Sequence, residues 1–366
     1  MKNPFNPSFG VRPEQFLGRD DIVDSFIDAI TNKNSPWRST LLIGVRGSGK
    51  TAILSQIQAK TMNKDTFVVS VSPDVDFLDN VLGQLHKQMS KSKIKGLPRI
   101  KSISFSYGVS ISLEKSNDTQ NFKKTFRYQI TEMLDIVKKN GKDVIFLIDE
   151  SQKHNEGLRT FIGTYQHLIR EEYPICLIMA GLPEVVSDIL NDNVLTFFRR
   201  ANQISLGNIG ISLVRQEYKN VFINAYSNLS ESLLEDAAER TYGYPYLIQL
   251  IGYYLWENIK SNYCGDLIVQ VLIEAKDRLF RNVHQLVYDK LSPRDKEFLF
   301  AMADDNGQSL NKDILVRLGK DKSYVSMYRA RLISRGIVTS TGYGTLGYAY
   351  PYMREFLIEK RNEIAL

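Results

Sequence analysis

The chain has few of the features that would place it outside the cell or inside a membrane. Its 366 residues include only two cysteines, Cys176 and Cys264, which are widely separated. They form neither a disulfide framework nor a metal-binding cluster, and the apolar run around Cys176 favours a buried thiol. The longest apolar run, 175–182, is too short to span a bilayer, and the first ten residues lack the apolar core of a signal peptide. We therefore expect a cytoplasmic protein with no membrane segment.

Internal repeats and low-complexity tracts are also absent. The chain is 43% hydrophobic and 24% charged, as is typical of a globular protein, and its length predicts two or three domains. The formal charge of +6 is compatible with an anionic partner such as nucleic acid but does not by itself indicate one.

The segment 44–51 reads GVRGSGKT, between an apolar run and a helix-like stretch. This is the phosphate-binding loop pattern in its required setting, a strand before it and a helix after it. Inward-turned backbone N–H groups and the helix start favour phosphate, and we expect Lys50 to reach the phosphates of ATP and Thr51 to bind Mg²⁺. An ordinary glycine-rich turn is the alternative. The predicted nucleotide-binding residues here are Gly44, Arg46, Gly47, Ser48, Gly49, Lys50, Thr51 and Ala52.

Two carboxylates, Asp149 and Glu150, follow the apolar residues 145–148. Behind a phosphate loop, Asp149 would hold Mg²⁺ and Glu150 would orient and activate the attacking water. The alternative is a pair of acids that favours the dipole of a helix start. The pattern predicts ATP hydrolysis to ADP and phosphate, with Lys50 and Glu150 as catalytic residues.

Two arginines, Arg199 and Arg200, directly precede the last expected strand of the sheet. Either could reach the γ-phosphate of a neighbouring subunit and stabilise transition-state charge, which would imply a homo-oligomer. A packing or surface role is the alternative. Further on, Tyr244 and Pro245 begin a strongly apolar helix; they could cover the adenine of a nucleotide or simply contribute core aromatics.

The secondary-structure pattern changes near residue 206. Before it, strands alternate with helices, which predicts an α/β fold with a parallel sheet and helices on both faces. The expected strands are 39–44, 66–72, 143–149, 174–180 and 203–206, with helices at 20–31 and 49–60. Beyond residue 210 we expect helices near 211–227, 230–241, 244–260 and 266–290. Ser232 with Glu235 fits a capping box, although the helix could start at Ser230.

The last part of the chain fits a winged helix. A helix starts at Ser292-Pro293, followed by helices at 309–318 and 322–335, an extended segment at 336–350 and a helix at 351–364. The helix 322–335 is basic and suits the major groove of double-stranded DNA. The predicted DNA contacts are Lys322, Tyr324, Arg329, Arg331 and Arg335. Alternatively, this module packs only against the ATPase or a protein partner.

An unusually long insertion, about 73–140, separates the second and third strands. Its stretch 86–101 carries six basic residues and no acid, and 102–113 alternates apolar and polar residues as a one-sided strand or hairpin does. A solvated loop leading to an edge flap and a contact with nucleic acid or a partner are both compatible with this pattern.

Taken together, the loop, the acidic pair, the arginines, the helical region and the terminal module resemble the AAA+ ATPases, in their origin-recognition and initiator-type branch. The Gly-x-Pro motif at 243–245 also resembles a motif of the STAND ATPases. Residues 16–20, FLGRD, look like the box that opens such domains, and this resemblance implies that Gly18 and Arg19 help to close over the adenine. The whole pattern is most similar to prokaryotic ATP-binding proteins that pair this ATPase with a winged helix.

The resemblance implies a P-loop NTPase core at 1–208, a helical lid at 209–290 and a winged helix at 291–366. Two departures matter: residues 179–183 lack the polar γ-phosphate sensor of many AAA+ proteins, and 247–250 lack the arginine of a second sensor. Both favour a slow, nucleotide-controlled switch over a fast motor. The leading prediction is an ATPase of this kind that binds DNA and whose nucleotide state controls assembly. The alternative is a STAND-like regulatory switch whose winged helix binds protein.

Overall fold

The computed structural model describes most of the chain. The described residues are 2–8, 14, 16–61, 65–92, 94, 125–149, 155–192, 195–226, 229–261 and 265–365. The expected strand at 102–113, the catalytic candidate Glu150 and Cys264 lie outside them. Within the described ranges, no helix is long and apolar enough to cross a membrane.

A five-stranded sheet forms the centre of the first half of the chain. All neighbouring strands are parallel, in the order β2-β3-β4-β1-β5, which confirms the predicted parallel sheet. The strands are β1 Ser39–Ile43, β2 Thr66–Val71, β3 Asp143–Ile148, β4 Ile175–Gly181 and β5 Asn202–Ser205. Strand β4 is apolar along its whole length, and β3 is apolar after Asp143, because helices cover both faces of the sheet.

The helices of this half divide between the two faces, as predicted. They are α1 Asp20–Thr31, α2 Lys50–Thr61, α3 Phe77–Lys91, α4 Phe126–Lys139, α5 Glu156–Arg170 and α6 Pro183–Asn191. Helices α1 and α2 pack on one face, and α3, α4 and α5 pack on the other. Cys176 is buried in β4, where burial raises the pKa of its thiol to about 12, so the expected buried thiol is confirmed. Because α3 includes Lys87 and Lys91, the beginning of the basic stretch is helical rather than a loop.

Two glutamines of α3 cover the free edge of β2. The side chain of Gln88 accepts from the N–H of Val68 at 2.9 Å and donates to the carbonyl of the same residue. Gln84 accepts from the N–H of Ser70 at 3.1 Å. The two glutamines are four residues apart, so they project from the same side of the helix. They satisfy backbone groups that would otherwise be open to pairing with another strand.

A helical region follows the sheet. Its helices are α7 Ile211–Ala225, α8 Glu231–Glu239, α9 Pro245–Lys260, α10 Leu267–Leu279 and α11 Gln285–Tyr288. The predicted single helix at 266–290 is interrupted by a π-helical segment, Phe280–His284, which places the ring of His284 against Phe280 and Phe356. Helix α8 begins at Glu231 with Ser230 as its N-cap residue, so the alternative start at Ser230 is confirmed and the capping box of Ser232 with Glu235 is wrong, because Ser232 already lies within the helix.

The C-terminal unit, residues 292–365, combines four helices with a small sheet. These are α12 Pro293–Ala303, β6 Ser309–Leu310, α13 Asn311–Leu318, α14 Lys322–Ser334, β7 Val338–Gly342, β8 Thr345–Tyr348 and α15 Met353–Ala365. The expected cap at Ser292 is present, in a box with Asp295. The extended segment at 336–350 is an antiparallel hairpin of β7 and β8, and β6 pairs with β8.

One hydrophobic cluster runs from the helical region into the C-terminal unit without interruption. It also receives Phe5 from the N-terminal segment, whose ring lies against Tyr218 and Phe222 at 5.5 Å between centroids. The ring fits because position 252 is glycine: a Cβ there would overlap the Phe5 ring. The helical region, the C-terminal unit and the N-terminal segment therefore share a core.

Candidate functional site

The segment 44–49 connects β1 to α2 at the carboxyl edge of the sheet. Gly47 and Gly49 have φ angles of +76° and +92°, which side-chain-bearing residues rarely adopt. The turn is closed by a hydrogen bond from the N–H of Ser48 to the carbonyl of Val45 at 3.3 Å. The glycines of the pattern are therefore required by the backbone, and the loop leads directly into the positive end of α2.

The first two residues of α2 face the expected phosphate and metal positions. The amine of Lys50 donates to the carbonyls of Gly44 and Val45 at 2.8 and 2.9 Å, so it lies across the mouth of the loop. The hydroxyl of Thr51 donates to a carboxylate oxygen of Asp149 at 2.6 Å. Ala52 follows on the same turn of the helix.

Asp149 directly follows the last residue of β3, and its backbone N–H donates to the carbonyl of Val71 at 3.0 Å. The sheet therefore brings two residues 98 positions apart in the sequence, Thr51 and Asp149, into contact. This pair of oxygens is a suitable start for a Mg²⁺ site, because Mg²⁺ prefers oxygen ligands and commonly takes only one or two from the protein.

Gly18 and Arg19 lie just before α1. The guanidinium of Arg19 donates to the carbonyl of Gly207, and a Cβ on Gly18 would lie 3.3 Å from the side chain of Ile209. Burial lowers the pKa of Arg19, and the nearby Asp21 opposes that shift. The FLGRD box is thus joined to the connection between the sheet and the helical region. Its expected role at the adenine stays a prediction.

Tyr244 lies beneath the phosphate loop. Its side chain is completely buried, and its hydroxyl donates to the carbonyl of Arg46. A Cβ on Gly47 would overlap this hydroxyl, so the glycine also allows the tyrosine to approach. A buried ring presents no face on which adenine can stack, and the predicted adenine contact by Tyr244 is therefore corrected to support of the loop. Pro245 is the first residue of α9 and lies near Gly49.

The two candidate arginines differ in their surroundings. The guanidinium Nε of Arg199 donates to the carbonyl of Leu190, near the end of α6, at 2.6 Å. Arg200 is exposed, and no hydrogen bond or ion pair of its side chain is found within the described residues. Both arginines are exposed, and they differ only in the hydrogen bond of Arg199.

The residues predicted to contact DNA do not form one exposed surface. Lys322 is exposed, whereas the ring of Tyr324 packs against Tyr328 with 4.5 Å between centroids. The guanidinium of Arg329 donates to the hydroxyl of Ser340 at 3.1 Å. Arg331 lies 3.2 Å from a carboxylate oxygen of Asp295 and is 47% exposed.

Arg335 is turned towards the sheet domain. Its side chain is only 13% exposed and forms ion pairs of 3.2 Å with both Asp295 of α12 and Glu184 of α6. Asp295 is fully buried, so the arginine neutralises a charge that would be costly alone. In this arrangement Arg335 is not accessible to a DNA phosphate, which corrects the prediction for this residue.

Three residues of the C-terminal region were missed by the sequence reasoning. Gly336 and Tyr350 contact the phosphate loop, and Tyr352 donates to the carbonyl of Arg240 in the helical region at 2.9 Å. The only sequence signal is the unusual content of glycine and aromatic residues at 336–350, which does not indicate what these residues contact.

A five-stranded parallel sheet with a phosphate loop after β1 and a helical C-terminal region is the fold of the P-loop ATPases. Comparison with solved structures agrees. The Walker-type ATPase of Pyrococcus abyssi matches with a TM-score of 0.65 and 16% identity, over 95% of this chain and 97% of that one.

Sequence comparison gives partial matches. An uncharacterised ATP-binding protein of Methanocaldococcus jannaschii is 30% identical over 164 residues, which are 38% of this chain and 44% of that protein. A second one from the same organism is 31% identical over 125 residues, 31% of this chain and 34% of that protein. The match thus spans less than half the length of these curated relatives. Residues 281–357 match a family described as a domain of unknown function, DUF8462.

Proposed function

We propose that the protein binds ATP with Mg²⁺ and slowly hydrolyses it to ADP and phosphate. The observation that carries this proposal is the contact of Thr51 with Asp149 beside a glycine loop at the start of α2. The two relatives from Methanocaldococcus jannaschii, which are named as ATP-binding proteins, support it.

Each residue has a defined task in this proposal. Backbone N–H groups of 47 and 49–51 and the start of α2 bind the phosphates, and Lys50 turns from the loop carbonyls to the β- and γ-phosphates. Thr51 and Asp149 would hold Mg²⁺, since their oxygens are 2.6 Å apart and adjacent ligands of this ion are separated by roughly 2.9 Å. The ion, when bound, neutralises charge on the phosphates. Glu150 orients and deprotonates the attacking water.

Two substitutions test the ATPase proposal. Lys50→Ala should abolish binding of a fluorescent ATP analogue, and Glu150→Gln should keep binding while slowing phosphate release at least tenfold. Lys60→Ala, at the other end of α2, is the matched control because Lys60 forms only an exposed ion pair with Asp24. Wild-type hydrolysis by Glu150→Gln would refute the assignment of the base. Removal of Mg²⁺ by a chelator should stop phosphate release.

We further propose that the nucleotide site is completed by Arg200 of a neighbouring copy. Both arginines are exposed, but Arg199 donates to the carbonyl of Leu190 near the end of α6, whereas no such bond of Arg200 is found within the described residues. Arg200→Ala should remove any concentration-dependent stimulation of hydrolysis, and Arg199→Ala should leave it in place. Mixing Arg200→Ala with Lys50→Ala should restore activity, because the first variant keeps an intact loop and the second keeps the arginine. Equal loss in both arginine variants, or no restoration, would contradict this assembly.

The C-terminal unit is proposed to be a winged helix, as its order of helices and strands supports. In the leading hypothesis it binds double-stranded DNA through the exposed face of α14 and the hairpin tip, where Lys322, Arg331 and Tyr343 are accessible. Arg335 becomes part of this DNA-binding surface only when the C-terminal unit separates from α6 and the ion pair with Glu184 is broken. The same proposal divides the chain into a P-loop core at 1–208, a helical lid at 209–290 and a winged helix at 291–366. It also includes a cytoplasmic location.

DNA binding is tested by fluorescence anisotropy with a labelled duplex over a series of salt concentrations. The double variant Lys322→Ala, Arg331→Ala should bind the duplex more weakly. The slope of its binding constant against salt concentration, on logarithmic axes, should fall by the equivalent of about two phosphate contacts. Arg281→Ala, an exposed base of the helical region, is the control. Failure of the wild type to bind at low salt would refute the DNA hypothesis and leave the ATPase proposal intact.

The second candidate function is a STAND-like regulatory switch whose C-terminal unit binds protein. It is favoured by the packing of that unit on α6 and the helical region, through Arg335 and Tyr352. Size-exclusion chromatography with ATP, with ADP and without nucleotide separates the two hypotheses. Nucleotide-driven assembly that is unaffected by duplex DNA supports the regulatory switch, whereas assembly that requires DNA supports the first hypothesis.

A further inference from the structure

The peptide of Arg46, in the middle of the phosphate loop, is contacted by two tyrosines from outside the sheet domain. Tyr244 of the helical region donates to the Arg46 carbonyl, and the Tyr350 hydroxyl of the C-terminal unit lies close enough to the Arg46 backbone for that backbone to lower the pKa of Tyr350. The two rings meet edge to face, with 6.3 Å between centroids. Both are at least 96% buried, at 0% and 4% exposure. The loop therefore has a fixed support on the side away from the nucleotide.

The C-terminal unit also approaches the loop through its backbone. A Cβ on Gly336 would lie 2.8 Å from the ring of Pro183 and 3.1 Å from a methyl group of Val45, so only glycine fits without displacement. The preceding residue, Arg335, forms its ion pair with Glu184. One turn of the C-terminal unit thus touches both the phosphate loop and the beginning of α6, which follows β4.

This support has a physical consequence for nucleotide binding. A loop containing Gly44, Gly47 and Gly49 has many accessible backbone conformations, and binding phosphate requires one of them. Hydrogen bonds that hold the Arg46 peptide before the nucleotide arrives reduce the ordering cost paid on binding. Burial raises the pKa of Tyr350 to about 12, opposed by the nearby Arg46 backbone, so its hydroxyl stays protonated at neutral pH.

We propose that Tyr350 is a positioning residue for the phosphate loop, so that docking of the C-terminal unit sets the affinity of the same chain for ATP. The inference rests on the proposed ATP binding and extends it to regulation. Residues 179–183, at the end of β4, carry no polar γ-phosphate sensor, and the C-terminal unit contacts the loop and α6 around that position. A partner that displaces this unit would weaken nucleotide binding.

The test compares Tyr350→Phe with Tyr352→Phe. Both variants remove one buried hydroxyl from the same connection, but the Tyr352 hydroxyl bonds to Arg240 of the helical region rather than to the loop. Titration with a fluorescent ATP analogue and steady-state phosphate release should show that Tyr350→Phe raises Kd and KM about fivefold and leaves kcat within about twofold. Tyr352→Phe should change neither Kd nor KM, although both variants lower Tm.

The reciprocal measurement is hydrogen exchange of residues 337–350 with and without ATP. Binding affinity is linked in both directions, so ATP should slow exchange in this segment in the wild type and less so in Tyr350→Phe. Unchanged Kd in Tyr350→Phe, or an equal rise in Tyr352→Phe, would overturn the inference while leaving ATP binding established by the wild type. A wild type that binds no nucleotide would overturn the proposed function and this inference with it.

Discussion

At the scale of single residues, the phosphate loop is held from both sides. The amine of Lys50 bonds to the carbonyls of Gly44 and Val45 at its mouth, and Tyr244 bonds to Arg46 from beneath. Such a loop is ordered before a ligand arrives, so part of its conformational entropy is lost on folding rather than on binding. Tyr244 belongs to the helical region, and Tyr350, which packs against it, belongs to the C-terminal unit. The stability of these two parts therefore affects the order of the phosphate loop.

His284 provides a pH-dependent prediction at this scale. Burial lowers its pKa from the usual 6.5 to about 3, and its ring lies among Phe280, Tyr350 and Phe356. Below pH 6.5 the unfolded chain takes up a proton on this histidine and the folded chain does not. The free energy of unfolding should therefore fall as the pH is lowered from 6.5 towards 3, by up to about 2 kcal/mol at pH 5 from this group.

Urea denaturation at about pH 7.5 and about pH 5 measures this effect. His284→Phe should lose less stability between the two conditions than the wild type, and His167→Phe, outside this cluster, should behave as the wild type does. Equal losses in all three proteins would show that His284 is not the group responsible.

At the scale of secondary-structure elements, apolar patterning explains most of what forms. Strands such as β3 and β4 are continuous apolar runs because they are covered on both faces. Patterning does not identify the edge of the sheet. Strand β2 is apolar as a central strand would be, yet it lies at an edge, and Gln84 and Gln88 of α3 protect it. This use of α3 is visible only when the order of the strands is known.

Removal of one of these glutamines should expose the edge. Gln88→Ala leaves the N–H and carbonyl of Val68 without their side-chain partner, which should cost about 1–3 kcal/mol and promote association between chains. Thermal unfolding and light scattering measure the two effects. Lys87→Ala, on the exposed side of the same helix turn, is the control. Equal stability and scattering in the two variants would mean that the glutamine pair does not protect β2.

At the scale of the whole molecule, the C-terminal unit is joined to the sheet domain by the ion pair of Arg335 with Glu184 and by local contacts at Val45 and Pro183, and to the helical region by a continuous core. Arg335 bridges buried Asp295 and Glu184 across this junction. The contrast suits a unit that moves together with the helical region relative to the sheet, because polar contacts exchange with water more readily than a packed core does.

A double-mutant cycle measures the junction. Arg335→Ala should destabilise the protein by about 2 kcal/mol or more, because Asp295 loses one of its two arginines while remaining buried. Glu184→Gln should cost less, since that side chain is 39% exposed. The combined variant should be less destabilised than the sum of the two. Strictly additive effects would show that the pair does not couple the two parts.

Local spacing was enough to predict the loop, the five strands and most helices, because each depends on neighbouring residues: glycines for the turn, apolar runs for covered strands, and caps such as Ser292. It could not predict the π-helical segment, because that depends on how side chains pack against distant elements. The candidate base Glu150, the role of Arg200 and the domain limits stay predictions.

The sequence by itself determined the class of fold and the phosphate loop, since these follow from short-range patterns that only one kind of backbone satisfies. Only the tertiary structure decided which side chains meet across long separations. It placed Thr51 against Asp149, turned Arg335 towards Asp295 and Glu184, and set Tyr244 and Tyr350 on the peptide of Arg46. The reason is physical: burial and pairing of polar groups depend on the packing of whole elements, which residue spacing does not encode.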